Sequence, residues 1–74
     1  MKRIAIRTGS DLGLAIAEAR RARGLTQAEL AERSGLSAAY ISKIESGRSS
    51  SLLDHAVRLL RRLGVDLVVE VPDV

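Results

Sequence analysis

The sequence predicts a mainly α fold: four short helices, with a β-strand before the first and another after the last. Three observations carry this reading. Apolar residues recur at helical spacing in four stretches, each closed by a glycine: Gly24, Gly35, Gly47 or Gly64. Residues suited to capping stand ahead of the helices: Ser10, Thr26, Ser37 and Ser51. The two ends of the chain, residues 2–7 and 65–71, instead alternate largely with period two, which is strand spacing.

In chain order, K-R-I-A-I-R puts Ile4 and Ile6 on one strand face and Arg3 and Arg7 on the other. Thr8-Gly9-Ser10 breaks the run, and Ser10 is placed to cap a helix over about 11–23. Leu12, Ala15, Ile16 and Ala19 form its apolar stripe. Gly13 inside it is expected to loosen the first turn, costing about 1 kcal/mol relative to Ala. In the next stretch, G-L-T-Q-A-E-L-A-E-R-S-G, Thr26 and Glu29 have the spacing of a capping box, and Gly35 supplies the left-handed position that ends the helix. Ser37 caps again, and Ile41 and Ile44 share a face before Gly47. Two short helices joined by about three residues form a helix-turn-helix, whose second helix is built to enter a DNA major groove.

Ser51 and Asp54 then start a fourth helix, about 52–63, with Leu53, Val57 and Leu60 towards the core. Leu52, Ala56 and Leu59 lie beside that stripe and give more apolar face than a small core uses, so they mark a candidate subunit interface. The tail V-D-L-V-V-E-V sets Val65, Leu67, Val69 and Val71 on one face until Pro72 stops it. A lone strand is not stable in water, and the available partners are residues 2–7 and the same tail in a second subunit. The expectation is a small sheet formed across the axis of a dimer, with Leu52, Leu59, Val65, Leu67, Val69 and Val71 at the interface. The organisation is one domain: an N-terminal strand and linker (1–9), a helix-turn-helix region (10–64) and a dimerisation strand (65–74).

Composition narrows the function. The chain has 74 residues, no cysteine and one histidine, so neither a disulfide nor a Cys-based zinc site supports so small a core, and oligomerisation is the remaining staple. The net charge of +3, from 12 Lys+Arg against 9 Asp+Glu, is modest but clustered. Arg20, Arg21 and Arg23 group in the first helix, Lys43 and Arg48 flank the second helix of the motif, and Arg58, Arg61 and Arg62 group in the fourth. Such patches suit a protein that neutralises a few phosphates per subunit, though an arginine-rich helix is also an ordinary solvated face. Tyr40 is the only aromatic residue, which argues against readers of single strands or RNA that stack bases on rings. No apolar run approaches the ~20 residues of a membrane span. The N-terminus lacks the apolar region of a signal peptide, so a cytoplasmic protein, nucleoid-associated when on DNA, is expected. His55 beside Asp54 has no nucleophile or phosphate-binding loop near it, so no enzyme and no cofactor are expected.

T-Q-A-E-L-A, then G-L-S, then I-S-K-I-E-S-G-R resembles the Cro/C1-type (XRE) family of bacterial and phage repressors across about residues 12–64. The resemblance implies a four-helix, lambda-repressor-like domain. A typical member continues into a fifth helix, whereas this chain turns into a strand, L-G-V-D-L-V-V-E-V, in the manner of HipB-type antitoxins. That likeness implies a homodimeric repressor that binds its own operator and a HipA-type kinase toxin, with Arg58, Arg61 and Arg62 contributing to toxin contact. An orphan or phage-type repressor without such a partner is one alternative. A protein-interaction module that has lost DNA binding is another, kept open by the two alanines at reading positions.

Within the motif, the family's counterpart of Gln27 holds a phosphate and braces the recognition helix, and a helix N-terminus offers N–H groups to an anion. Ser37, Ala38, Ala39, Ser42 and Lys43 fall at the start and along the outer face of the second helix, where base contacts occur. The serines donate or accept, Lys43 reaches guanine acceptors or a phosphate, and the alanines touch a thymine methyl or simply permit close approach. Few of these side chains are long and bidentate, so shape and water-mediated contacts are expected to carry part of the specificity. Tyr40 either lies along the DNA backbone or packs on the neighbouring helix. Ser46, Arg48 and Ser49 follow the helix and are expected at the phosphates. The resemblance places Arg20 and Glu45 in a partly buried ion pair with a structural role.

Overall fold

The computed structural model describes residues 1–47 and 51–73. The order of elements is β1 (Lys2–Ile6), α1 (Gly9–Ala22), α2 (Gln27–Ser34), α3 (Ala38–Glu45), α4 (Ser51–Arg62) and β2 (Leu67–Val71).

Helix α1 starts earlier than its sequence suggests. Thr8, not Ser10, is the N-cap: its Oγ1 accepts from the Asp11 N–H, and the Asp11 carboxylate accepts from the Thr8 and Arg7 N–H groups. Only Thr8 has an acid three residues on, which closes a capping box; the residue three beyond Ser10 is Gly13. The fully buried residues of α1 are small, Gly9, Gly13, Ala15 and Ala17, while Leu12 packs on the core, Ala19 is partly buried and Ile16 is 39% exposed. The expected stripe is therefore widened on the side of Gly13 and Ala17, where neighbours approach α1 closely. A Cβ built on Gly13 would collide with the Ile44 carbonyl oxygen. Gly13 admits the backbone of α3.

Helix α1 is the hub, packing against α3, α4 and both strands. The core is built from Ile6, Ala15 and Val57, ringed by the partly buried Ile4, Leu12, Leu67 and Val69. Asp54 of α4 reaches across to α1, its Oδ1 accepting the Gly9 N–H at 2.8 Å, so one helix satisfies an orphan donor of another. Helix α4 already includes Ser51, and whatever caps it falls outside the described residues.

β1 and β2 pair antiparallel, with Lys2 opposite Val71, Ile4 opposite Val69 and Ile6 opposite Leu67. One face turns these apolar residues onto the helices, and the other carries the exposed Arg3–Glu70 ion pair. Of the partners open to the tail, the structure shows residues 2–7: the two strands pair with each other inside one chain. Both flank the helical region and both need an apolar surface to lie on, which α1 supplies without a second subunit. Val71 is buried and Leu67 and Val69 are partly buried in the chain's own core. Leu52, Leu59 and Val65 stay exposed, as does Leu63. No helix among the described residues is long and apolar enough to cross a membrane.

Candidate nucleic-acid interface

Local chemistry sets the two motif helices. Thr26 Oγ1 accepts from the Glu29 N–H while the Glu29 carboxylate accepts from the Thr26 N–H, so α2 opens on a complete capping box. These contacts also hold the Glu29 carboxyl below its ordinary pKa. Gly35 adopts φ +74° and closes α2, and Ser37 Oγ accepts the Tyr40 N–H to open α3. Gln27 is the first residue of α2.

α3 divides into two sides. Ile41 and Glu45 are buried and Ile44 partly so; they hold the helix to α1 and α2. Ala38, Ala39, Ser42, Lys43 and Ser46 are exposed and share the opposite face. Tyr40, 51% exposed, stands at the flank between the two sides. The Ser37 hydroxyl accepts the capping bond and keeps its own proton for an outside acceptor. Ser46 is different, since its hydroxyl donates to the Lys43 carbonyl at 2.7 Å and its N–H to the Ser42 carbonyl. In this arrangement Ser46 has no donor left for a phosphate. Arg48 and Ser49 lie outside the described residues.

Behind the exposed face is a polar network. Arg20 Nε donates to Glu45 Oε2 at 2.8 Å and Nη2 to Oε1 at 3.0 Å, a bidentate pair with side-chain exposures of 11% and 5%. Arg20 Nη1 donates to the Leu25 carbonyl between α1 and α2, and Gln27 Nε2 donates to Glu45 Oε1 at 3.0 Å. One carboxylate thus ties together α1, the turn after it, the start of α2 and the end of α3. Hydrogen bonding by Arg20 holds the Glu45 carboxyl below its ordinary range against the opposing effect of burial, with help from Gln27 and the charges of Arg20 and Arg21. Among the described residues no buried side-chain polar atom lacks a partner.

Gln27 therefore braces α3 through Glu45, leaving its carbonyl oxygen and second amide hydrogen for other contacts. Sequence reasoning missed the Leu25 carbonyl, the role of Gly13 and the contact of Ser10 with the end of α3. A Cβ on Gly47 would lie 2.7 Å from Ser10 Oγ, so the first turn of α1 abuts the exit of the second motif helix. The one local signal was a glycine inside an otherwise helical run. His55 is exposed, and among the described residues no group of three or more potential metal ligands gathers.

Comparison with known proteins agrees with this architecture. No solved structure gives a significant match. An HTH-type transcriptional regulator, y4dJ, of Sinorhizobium fredii is 40% identical over 57 residues, covering 77% of this chain and 74% of the relative. The family model described as Helix-turn-helix matches residues 16–69, from α1 into β2, and the chain belongs to that family.

Proposed function

We propose that the chain is a DNA-binding transcriptional regulator, acting as a homodimeric repressor that reads a pseudo-palindromic operator in double-stranded DNA. The observation that carries this reading is α3 itself. It is capped by Ser37 and locked from behind by the Arg20–Glu45–Gln27 network, while its outward face of small and polar residues is exposed and, among the described residues, makes no side-chain hydrogen bond other than that of Ser46. A rigid helix with an unobstructed face fits a major groove, with the phosphates fixing its register and base edges supplying specificity. Ala38 and Ala39 let the helix approach closely, Ser37 and Ser42 supply hydroxyls, and Lys43 reaches a base acceptor or phosphate. Arg48 and Ser49 belong to the phosphate-facing part of the proposal.

A dimer places two such helices in successive major grooves, about 34 Å apart. The surface that best suits the pairing is α4, where Leu52, Leu59 and Leu63 are 76%, 64% and 76% exposed and lie along one stripe, with Val65 beyond it. Autoregulation as the antitoxin of a HipA-type kinase toxin rests on the sequence resemblance; an orphan repressor would have the same DNA-reading face.

The test is a fluorescence titration of the chain against a duplex from upstream of its own gene, at two salt concentrations. The parent is expected to bind tightly, to weaken steeply with salt and to lose at least tenfold in affinity on Lys43→Ala. Binding indifferent to salt and to Lys43→Ala would leave the fold as a protein-interaction scaffold. Sedimentation of Leu59→Glu, expected to be a monomer, checks the pairing surface.

A further inference from the structure

At the junction of β1 and α1, an open groove of about 500 Å³ runs along α4, lined by Arg7, Thr8, Asp54, Arg58, Arg61 and Arg62. Four guanidinium groups face one carboxylate, and that carboxylate is engaged with the Gly9 N–H. Among the described residues none of the four arginines forms an ion pair, as is also true of Arg21, Arg23, Arg33 and Lys43; what sets these four apart is that they line one groove. A second trough shares Arg7 and Arg61 and continues the groove towards β2. Arg58, Arg61 and Arg62 cover the last half of α4 and Arg7 comes from the other end of the sequence, so the fold itself gathers the cluster.

We propose that this groove binds phosphodiester groups, and that its occupant is the DNA backbone flanking the segment read by α3. This rests on the DNA-binding reading above. Its position argues for that occupant over an acidic protein. Thr8, on the groove wall, is two residues from Ser10, and Ser10 abuts Gly47 at the exit of α3. The groove therefore opens beside the place where the reading helix ends, and a duplex seated on α3 passes its near strand towards it. Arginine suits the task, since its planar donors fork onto phosphate oxygens and stay charged at every relevant pH. Thr8 adds a hydroxyl at the same wall. The consequence is a footprint extending past the base pairs that α3 contacts, by a sequence-independent clamp that adds affinity and salt dependence.

The experiment compares the parent with Arg58→Gln/Arg61→Gln/Arg62→Gln on a labelled duplex from upstream of the gene, long-flanked and trimmed. All three positions are exposed, and thermal melts establish that the variant is folded. On the long duplex, the slope of log K against log salt is expected to fall by about 2 for a dimer losing one phosphate contact per subunit. Raising salt fourfold then costs the parent about tenfold more affinity than the variant. Trimming the flanks brings the parent's slope to the variant's and leaves the variant unchanged, and Arg→Lys at the same three positions restores the slope. An unchanged slope in the folded variant, beside a parent that binds and still depends on Lys43, overturns the groove while sparing the DNA-binding reading. So does a loss that trimming does not reproduce, which would be general charge. A gain in melting temperature from inorganic phosphate that needs the three arginines, with DNA slopes unaltered, overturns it in favour of a free anion. Loss of an acidic protein's binding with DNA slopes unaltered overturns it in favour of that partner. A parent that does not bind the duplex at all overturns both readings.

Discussion

Gly13 and Glu45 are the residues on which the geometry of the reading helix depends. Gly13→Ala would drive a methyl group into the Ile44 carbonyl, which is backbone and cannot swing aside. The expected cost is about 3 kcal/mol, the upper part of the overpacking range, seen as a fall in Tm of roughly 15 °C. Glu45 carries a pH signature. Its carboxyl titrates below the ordinary range in the folded chain because Arg20 and Gln27 hydrogen-bond to its charged form. The native state thus binds fewer protons than the unfolded one, and this contribution is fully present above the unfolded pKa of about 4.3 and lost as pH falls through the folded value. Melts should therefore be level near neutrality on this account and decline below about pH 4. Glu45→Gln should flatten that acid limb and cost about 3 kcal/mol at neutral pH, since it leaves the Arg20 charge buried without its counter-charge. Part of the limb should survive, because the capping carboxylate of Glu29 is depressed in the same direction.

At the scale of elements, what was legible in the sequence followed from the range of the interaction that decides each feature. The Thr26–Glu29 box, the Gly35 stop and the Ser37 cap involve residues four or fewer apart, and α2 and α3 fall where these signals put them. The start of α1 offered two hydroxyl residues close together, and the acid at position 11 decided for Thr8. Thr8→Ala should accordingly cost about 1 kcal/mol in a denaturant titration, while Ser10→Ala leaves the cap intact. The strands show the limit. Alternation tells which side chains share a face, but any strand of matching pattern can pair with β2, so the partner was not readable. Nor was the closeness of α1 to α3, a contact between residues more than thirty positions apart, nor the arginine groove, four of whose lining residues come from α4 and two from the start of the chain.

At the scale of the molecule, the core is small and leans on a few side chains. Ile6 and Val57 are the largest fully buried ones, one from β1 and one from α4, and they meet over Ala15 of α1. Ile6→Ala is expected to destabilise by about 3 kcal/mol in a chemical denaturation curve, as if the whole strand had been loosened. The expected effect on DNA affinity at a temperature where the variant stays folded is small, since α3 is fastened to α1 by the Glu45 network rather than by the sheet.

The register that sets Lys2 opposite Val71 also brings the Met1 ammonium to within 2.6 Å of the Asp73 carboxylate. Topologically the chain is a ring with a single opening. The strand contact closes the chain from residue 2 to residue 71, the longest loop that any element pairing here closes, and is expected to form late, after the helices have met. A short linker joining residue 73 to residue 1 would make that closure covalent. New ends could then be cut at the exposed Gly24, one residue before the Leu25 carbonyl that Arg20 holds. Such a circular permutant should keep its DNA-reading surface and fold faster than the parent.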